Sequence, residues 1–354
     1  MRTIYIDESG QTGTRLLDNE QRVFSIGSTD LTVDEARALL REVLPRHADG
    51  DLKFRNLLRR RGNDRALVRF AEVAGQMPDR FYCYVADKPY ATLGRMVDWL
   101  VEPVVRAAGY DFYRDDYARK WTNSFWFSFQ AVGQPELRGR LLAAYEMFAR
   151  APSRDTLSKF ERVCADILQQ GSPVVGEFVN MVLTGLGTVG RHYLEDDAPE
   201  MNDIHVTCVV NAVAWWSGQT DVELELVHDE SKHFFQRAEI WNRISALSVK
   251  NLNVTVGEKA FGLPLRVAST LSGNSAMLAP LKVCDLIAGF GAKIVEGPRN
   301  DGERDVIATM LEAGMSELTA NMLRFSGDFA AGEPSIADGP DVIDRISQAV
   351  YHHG

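Results

Sequence analysis

Two segments with the pattern of short β-strands, far apart in the chain, each run directly into a group of acidic and polar residues. The first reads Thr-Ile-Tyr-Ile over residues 3–6 and continues as Asp-Glu-Ser-Gly over residues 7–10. The second alternates polar and apolar side chains over residues 221–228 and continues as Asp-Glu-Ser-Lys over residues 229–232. Such alternation is typical of a half-buried strand. The chain is therefore constrained to a fold that contains a β-sheet and in which acidic residues lie at the ends of two of its strands.

Strand and helix patterns both occur before residue 91. Residues 22–27 and 80–86 predict two further strands. Thr32 and Glu35 have the spacing of a capping box, which predicts the first turn of a helix, and residues 64–76 predict a second amphipathic helix. This mixture indicates an α/β fold.

The strand pattern then disappears and only helical periodicity remains. The predicted helices cover residues 96–108, 121–130, 136–149 and 157–169. Residues 185–190 match the Gly-x-Gly-x-x-Gly pattern of dinucleotide-binding turns, but no strand precedes them, so we interpret them as a loop. We predict that this part of the chain is a large, mainly helical insertion.

Strand and helix patterns return after the insertion. Residues 253–257 predict a strand, residues 278–295 an apolar helix that carries Asp285, and residues 304–325 a further helix before a surface loop at residues 327–339. The predicted organisation is a first part of the α/β core at residues 1–90, the helical insertion at residues 91–202, a second part of the core at residues 203–297, and a C-terminal helix and surface tail at residues 298–354.

Charge balance and cysteine content argue against several classes of protein. The chain has 39 basic and 49 acidic residues and a net charge of −10, which argues against a protein that coats nucleic acid non-specifically. The four cysteines are widely spaced, with no Cys-x-x-Cys pair, so neither a zinc cage nor a disulfide framework is indicated. Neither a signal-peptide pattern nor an apolar run of roughly 18 residues is present. We therefore expect a cytoplasmic protein without a membrane span.

Asp7, Asp229 and Asp285 are the first candidates for chemistry. Two of them follow predicted strands, and the third interrupts an apolar helix face. A buried carboxylate requires a cation, a proton or a hydrogen-bond donor. Mg²⁺ prefers oxygen ligands, and a pair of such ions can promote in-line displacement at a phosphodiester. The three acids are therefore compatible with a Mg²⁺ or Mn²⁺ site that hydrolyses phosphodiesters.

Each of these acidic positions also has a structural alternative. Residues 8–10 could cap a turn with their side-chain oxygens. Residues 229–231 could form the N-cap region of the helix that follows them, and Asp285 could pair with Lys282 or Lys293. The pattern of acids alone leaves these alternatives open.

Three short motifs resemble the signatures of the domain-of-unknown-function 3800 family. They are Tyr-Ile-Asp-Glu-Ser-Gly at residues 5–10, Val-His-Asp-Glu-Ser-Lys at residues 227–232 and Leu-Lys-Val-Cys-Asp-Leu-Ile-Ala-Gly at residues 281–289. In that family a hydrophobic run precedes Asp-Glu-Ser-Gly, a middle strand ends in an acid, and a late helix reads roughly Leu-Gln-x-Ala-Asp-x-Ile-Ala-Gly. Lys282 and Cys284 depart from the usual Gln and Ala, whereas Asp285 is retained. The resemblance covers residues 1–90 and 203–297.

The resemblance implies a ribonuclease H-like fold, in which helices flank a mixed sheet. The implied metal ligands are Asp7, Asp229 and Asp285, with Glu8 or Glu230 as a fourth. Lys53 or Lys232 would then stabilise the substrate phosphate or its developing charge, and a metal-activated water would be the nucleophile. The resemblance also carries an association with defence against foreign nucleic acid.

A dense group of basic residues accompanies the predicted helices near residue 60. It comprises Lys53, Arg55, Arg59, Arg60, Arg61, Arg65 and Arg69, and it is opposed only by Asp64. Closely spaced positive charges can follow a nucleic-acid backbone, although a solvated helix face is the common alternative. We predict a nucleic-acid-binding groove here.

Aromatic residues recur at helical spacing within the insertion. Tyr113, Tyr117, Trp121 and Phe125 lie four residues apart. Packing in a core or an interface is the favoured interpretation, with base stacking as the alternative. Such an interface would allow a homodimer or a protein partner.

Taken together, the sequence predicts a divalent-metal-dependent nuclease or a related phosphodiesterase. The alternative is a non-catalytic adaptor that keeps the fold and binds nucleic acid or protein. An enzyme that acts on a small phosphorylated molecule is a third possibility.

Overall fold

A mixed β-sheet lies at the centre of the protein. The computed structural model describes residues 1–10, 15–17, 21–46, 52–190, 192–195, 204–236, 238–245, 252–256, 259–263, 265–318 and 321–340. Within these residues the sheet has six strands, β1 (Arg2–Ser9), β2 (Val23–Thr29), β3 (Phe81–Asp87), β5 (Leu224–Asp229), β8 (Val267–Gly273) and β9 (Asn321–Leu323), in the spatial order β8-β5-β1-β2-β3-β9. Two short pairs lie outside it, β4 (Tyr110–Asp111) with β10 (Ser335–Ile336) and β6 (Leu252–Val256) with β7 (Lys259–Leu263).

Helices cover both faces of this sheet and form most of the segment between β3 and β5. Before β3 lie α1 (Val33–Val43), α2 (Phe54–Leu58) and α3 (Asp64–Gly75). Between β3 and β5 lie α4 (Lys88–Met96), α5 (Glu102–Ala107), α6 (Tyr117–Ala131), α7 (Pro135–Arg150), α8 (Arg154–Gln170), α9 (Pro173–Val189), α10 (His192–Glu195) and α11 (His205–Ser217). After β5 lie α12 (Lys232–Phe235), α13 (Ala238–Ser245), α14 (Ala279–Glu296), α15 (Asp301–Met310) and α16 (Ser316–Leu318). The α/β prediction is confirmed.

The direction of the strands places the two acidic groups at one edge of the sheet. Strands β1, β2 and β3 form an antiparallel meander, whereas β5 is parallel to β1 and β8 is parallel to β5. Ile6 lies opposite His228 in the β1–β5 pair. Because parallel strands end at the same edge, the next residues along each strand, Asp7 and Asp229, are brought side by side.

Helix α14 lies directly on one face of the sheet. A Cβ atom added to Gly27 of β2 would be 2.2 Å from the carbonyl oxygen of Cys284 and 2.6 Å from the backbone nitrogen of Ala288. Only glycine permits such a close approach of two backbones. The Cys284 Sγ also lies 3.2 Å from the carbonyl oxygen of Tyr5. This contact brings Asp285, one residue further along α14, close to the end of β1.

The opposite face of the sheet is covered by α11. Ile4 and Ile6 of β1 pack with Cys208, Val209 and Val213 in one buried apolar cluster. This helix accounts for the longest apolar run in the sequence. Among the helices of the described residues, none combines the length and the apolar character that crossing a membrane requires.

The insertion has a hydrophobic core of its own, which contains the aromatic residues. Phe125 is fully buried, and its ring stacks on that of Phe178 at a centroid distance of 5.0 Å. Tyr113, Tyr117 and Trp121 pack against the same core. The packing interpretation is therefore confirmed for this series.

Two sequence interpretations were wrong in detail, and one strand was missed. Residues 185–190 lie at the end of α9 and not in a loop, because Gly185 lets that helix approach Leu100, whose carbonyl oxygen would be 1.8 Å from an added Cβ. The helix predicted at residues 304–325 is broken at Gly314, whose φ is +113°, and residues 321–323 of this range form strand β9. Strand β8 was not predicted.

We expect Gly27→Ala to lower the free energy of unfolding by about 3 kcal/mol, because its Cβ would overlap the backbone of α14. Urea denaturation followed by circular dichroism measures this change. Gly94→Ala in α4 is the matched control, since no atom lies within 4 Å of the added Cβ and alanine favours a helix by about 1 kcal/mol. Equal stability of Gly27→Ala and wild type would contradict the close contact.

Candidate metal centre

Asp7 is a buried carboxylate near the end of the central strand. It is 3% exposed, and its Oδ1 accepts a hydrogen bond from the Glu8 backbone N–H at 2.8 Å. Its Oδ2 has no hydrogen-bond partner among the described residues. Burial, together with repulsion from Glu8, Asp285 and Asp229, raises the pKa of Asp7 well above its ordinary value. An ionised Asp7 therefore needs more positive charge nearby than the side chains of the protein provide.

Asp285 reaches the same place from helix α14. It is 6% exposed, its Oδ1 accepts a hydrogen bond from the Lys53 Nζ at 2.7 Å, and its Oδ2 accepts one from the Phe54 backbone N–H at 2.9 Å. Lys293, one of the partners considered from the sequence, instead pairs with Glu303 at 3.0 Å. The salt bridge of Asp285 is thus made across two elements, and it anchors the start of α2 to α14.

Asp229 is the last residue of β5 and is half-buried. Its Oδ1 accepts a hydrogen bond from the Ser275 backbone N–H at 2.9 Å. The N-cap region predicted at residues 229–231 is confirmed at Ser231, whose Oγ accepts a hydrogen bond from the Phe234 N–H at 3.3 Å, and Asp229 itself does not make the cap. The loop after β8 therefore holds Asp229 through Oδ1. The described residues give its Oδ2 no hydrogen-bond partner.

Electrostatic effects tie Lys53 and the three aspartates into one group. Burial lowers the pKa of Lys53, but attraction to Asp285, and more weakly to Asp7 and Asp229, outweighs it and raises the pKa. Three carboxylates around one ammonium leave a deficit of positive charge when all are ionised. All three supply oxygen ligands, which are the ligands that Mg²⁺ and Mn²⁺ prefer. The donor chemistry therefore suits a divalent ion. Among the described residues, however, the group whose ligand atoms all lie within 4.8 Å of one another is Glu8, His205 and His228, and not the three aspartates.

Glu8 is placed with two histidines, on the opposite face of β1 from Asp7. Successive side chains of a strand point to opposite faces, so Glu8 points away from the face that Asp7 shares with α14. Its Oε2 lies 3.7 Å from the Nδ1 of His228. Ligand atoms of Glu8, His205 and His228 all lie within 4.8 Å of one another. His205 was not a candidate from the sequence, where nothing distinguishes it from a core residue.

Glu230 and Lys232 occupy the loop and helix that follow β5. Glu230 is exposed, and its Oε1 accepts a hydrogen bond from the Asn274 Nδ2 at 3.2 Å. Lys232 begins α12, but its side chain lies outside the described residues. The described contact of Glu230 is therefore with Asn274 and not with the three aspartates.

A cavity of about 360 Å³ opens beside Asp285. Basic residues line it, including Lys53, Arg55 and Arg299. Lys53 and Arg55 were predicted from the basic run. Arg299 was missed, because it stands alone in the loop after α14 and no local pattern marks it. The cavity thus brings basic side chains next to the acidic group, and Glu8, Glu296 and Glu303 line it as well.

The basic run forms an exposed surface around α2 and the start of α3. Its exposed members are Arg55, Arg59, Arg60, Arg61, Arg65 and Arg69. Arg69 is neutralised by Glu42 and Glu72, each at 3.0 Å. For the other five, the described residues place no carboxylate within salt-bridge distance. The positive charge nearest to the cavity is therefore available to an anionic ligand.

Comparisons of this chain with protein-family models, with curated proteins and with solved structures found no match. The chemistry of the site is consequently the basis for assigning a function.

Asp7→Asn is expected to stabilise the metal-free protein at pH 8. The pKa of Asp7 is higher in the folded than in the unfolded chain, so wild type loses stability as the pH rises above the unfolded value of about 3.9. The gain from Asp7→Asn should therefore disappear near pH 3.5. Thermal unfolding in chelator across this range measures it.

Asp221→Asn is the control for that experiment, because this aspartate is fully exposed. It should change the melting temperature little at any pH. Destabilisation by Asp7→Asn at pH 8 would instead mark Asp7 as a structural residue.

Proposed function

We propose that the protein is a divalent-metal-dependent nuclease or a closely related phosphodiesterase. Asp7, Asp229 and Asp285 would hold Mg²⁺ or Mn²⁺. The observation that carries this proposal is the buried Oδ2 of Asp7, which lacks a partner among the described residues and lies in a group of carboxylates. When bound, such an ion supplies an activated water and neutralises the charge of a phosphodiester.

The remaining residues of the site serve substrate binding. Lys53 is held by Asp285 at 2.7 Å, yet its side chain is 44% exposed and lines the cavity. Its ammonium can therefore attract a phosphate while it fixes the orientation of Asp285. Arg55 and Arg299 extend the same positive lining.

The architecture supports the same proposal. The resemblance of the three sequence motifs implies a ribonuclease H-like fold. A three-stranded antiparallel meander continued by the parallel strands β5 and β8, with α14 on one face, fits that expectation. The carboxyl ends of parallel strands are a usual position for active sites in α/β folds.

A polymeric substrate is favoured over a small phosphorylated molecule. The exposed arginines continue beyond the cavity along α2 and the start of α3. A small ligand would need only the residues that line the cavity, whereas a strand with successive phosphates would also use Arg59, Arg60 and Arg61. The positive surface is therefore better matched to nucleic acid.

We expect the purified protein to cleave labelled nucleic acid in the presence of Mg²⁺ or Mn²⁺ and not in chelator. Single-stranded, double-stranded and hybrid RNA and DNA are tested in parallel. Asp7→Asn, Asp229→Asn and Asp285→Asn should each lower the rate by at least about 100-fold, because each removes a metal ligand. Asp221→Asn should cleave at the wild-type rate.

Metal-dependent thermal stability separates the alternatives. A ligand that binds only the folded state raises its melting temperature with concentration, and the three variants should lose this response. A metal response without polynucleotide binding would indicate a small substrate. Nucleic-acid binding with neither a metal response nor cleavage would indicate a non-catalytic adaptor.

The arginine surface makes a separate prediction about salt dependence. Replacing Arg59 and Arg60 together by Gln should weaken binding to single strands and flatten the plot of log affinity against log salt by about 1.4, since each phosphate contact contributes about 0.7. Fluorescence anisotropy in chelator measures this slope. The double replacement of Arg154 and Arg162, which are exposed on α8, is the control, and an equal effect of both pairs would exclude a specific groove.

A further inference from the structure

A second group of metal-ligating side chains lies across β1 from the three aspartates. Glu8 follows Asp7 on β1 and His228 precedes Asp229 on β5, while His205 begins α11. Alternation along each strand sends these side chains to the α11 face. The group is therefore separate from the site proposed for Mg²⁺ or Mn²⁺, although it is built on the same two strand ends.

The two histidines of this group are buried, Glu8 is partly buried, and two of the ligand atoms are unsatisfied. His205 and His228 are both 0% exposed. The Glu8 Oε2 and the His228 Nε2 are buried without a hydrogen-bond partner among the described residues. A buried polar atom without a partner is costly. Two such atoms in one cluster indicate a ligand that bonds to both.

Hydrogen bonding fixes the form of His228. Its Nδ1 lies 3.0 Å from the carbonyl oxygen of Asp229. A carbonyl can only accept, so this hydrogen bond places a proton on Nδ1 and leaves Nε2 as the nitrogen that can ligate a metal. Metal-binding histidines are commonly oriented by this kind of bond from the other ring nitrogen. The Phe234 ring, stacked on His228 at 4.4 Å, holds the imidazole in place.

We propose that Glu8, His205 and His228 bind one Zn²⁺ ion. Two imidazole nitrogens and one carboxylate oxygen are a known set of protein ligands for zinc, with a water in the fourth position. The separations of up to 4.8 Å exceed the roughly 3.4 Å between ligand atoms around a tetrahedral ion by up to about 1.4 Å, which side-chain rotation can close. Mg²⁺ strongly prefers oxygen ligands, so the two metal sites are chemically distinct.

Zinc binding here would tie the end of β1 to the end of β5 and to the start of α11. Asp7 and Asp229 are the chain neighbours of two of these ligands. The ion would therefore fix the backbone that carries them. The binding proposal itself stands independently of nuclease activity.

Isothermal titration of chelator-treated full-length protein with Zn²⁺ tests the site. Excess Mg²⁺ is present throughout to compete at the aspartates. We expect one equivalent of Zn²⁺ to bind, with affinity lowered at least 100-fold in His205→Gln, His228→Gln and Glu8→Gln, and unchanged within threefold in Asp285→Asn. Wild-type affinity in both histidine variants, or equal loss in Asp285→Asn, would overturn the proposal.

A measurement on the wild-type protein covers the case in which a variant does not fold. Ring-nitrogen NMR spectra of the histidines are recorded before and after one equivalent of Zn²⁺. Two of the seven histidines should change to the signature of a metal-bound nitrogen. Unchanged ring-nitrogen signals, or binding of no zinc at all, would refute the site.

Discussion

The close contact between α14 and the sheet is the constraint on which the candidate site depends. If Gly27 carried a side chain, the backbone of α14 could not lie within van der Waals distance of β2. Asp285 would then be held away from β1, and its carboxylate could not influence the pKa of Asp7 as it does. A glycine with no chemical role thus determines whether three acids from distant parts of the chain form one group.

Strand geometry explains why adjacent acids have different surroundings. Asp7 and Glu8 are neighbours in sequence, but the pleat of β1 sends them to opposite faces. The same applies to His228 and Asp229 on β5. Two adjacent parallel strands therefore build a carboxylate group on the α14 face and a mixed carboxylate and imidazole group on the α11 face.

The sequence contained enough information to predict the elements that present the acids. The strand patterns before Asp7 and Asp229, and the apolar helix around Asp285, are all confirmed. The capping box of Thr32 and Glu35 also forms, with Glu35 accepting from the Thr32 N–H at 2.8 Å. These features depend on local periodicity and local hydrogen bonds, which a single sequence displays.

Features that depend on tertiary contacts could not be predicted. Strand β8 is only partly buried and lacks clear alternation, so its assignment depends on pairing with β5. The face occupied by Glu8 follows from the strand register, and the presence of His205 beside it follows from the position of α11. The partner of Asp285 is Lys53, which lies 232 positions away, and sequence spacing gives no preference for it over Lys293.

The pairing of the sheet has a consequence for synthesis on the ribosome. The Thr3 hydroxyl of β1 donates a hydrogen bond to Glu225 of β5, 222 positions further along the chain. Strand β1 is therefore synthesised long before its parallel neighbour β5. The outer edge of β3 is covered by β9, and β10, soon after it, pairs with β4 of the insertion. Until residues 321–336 emerge, the nascent chain exposes an unpaired strand edge of the kind that favours aggregation.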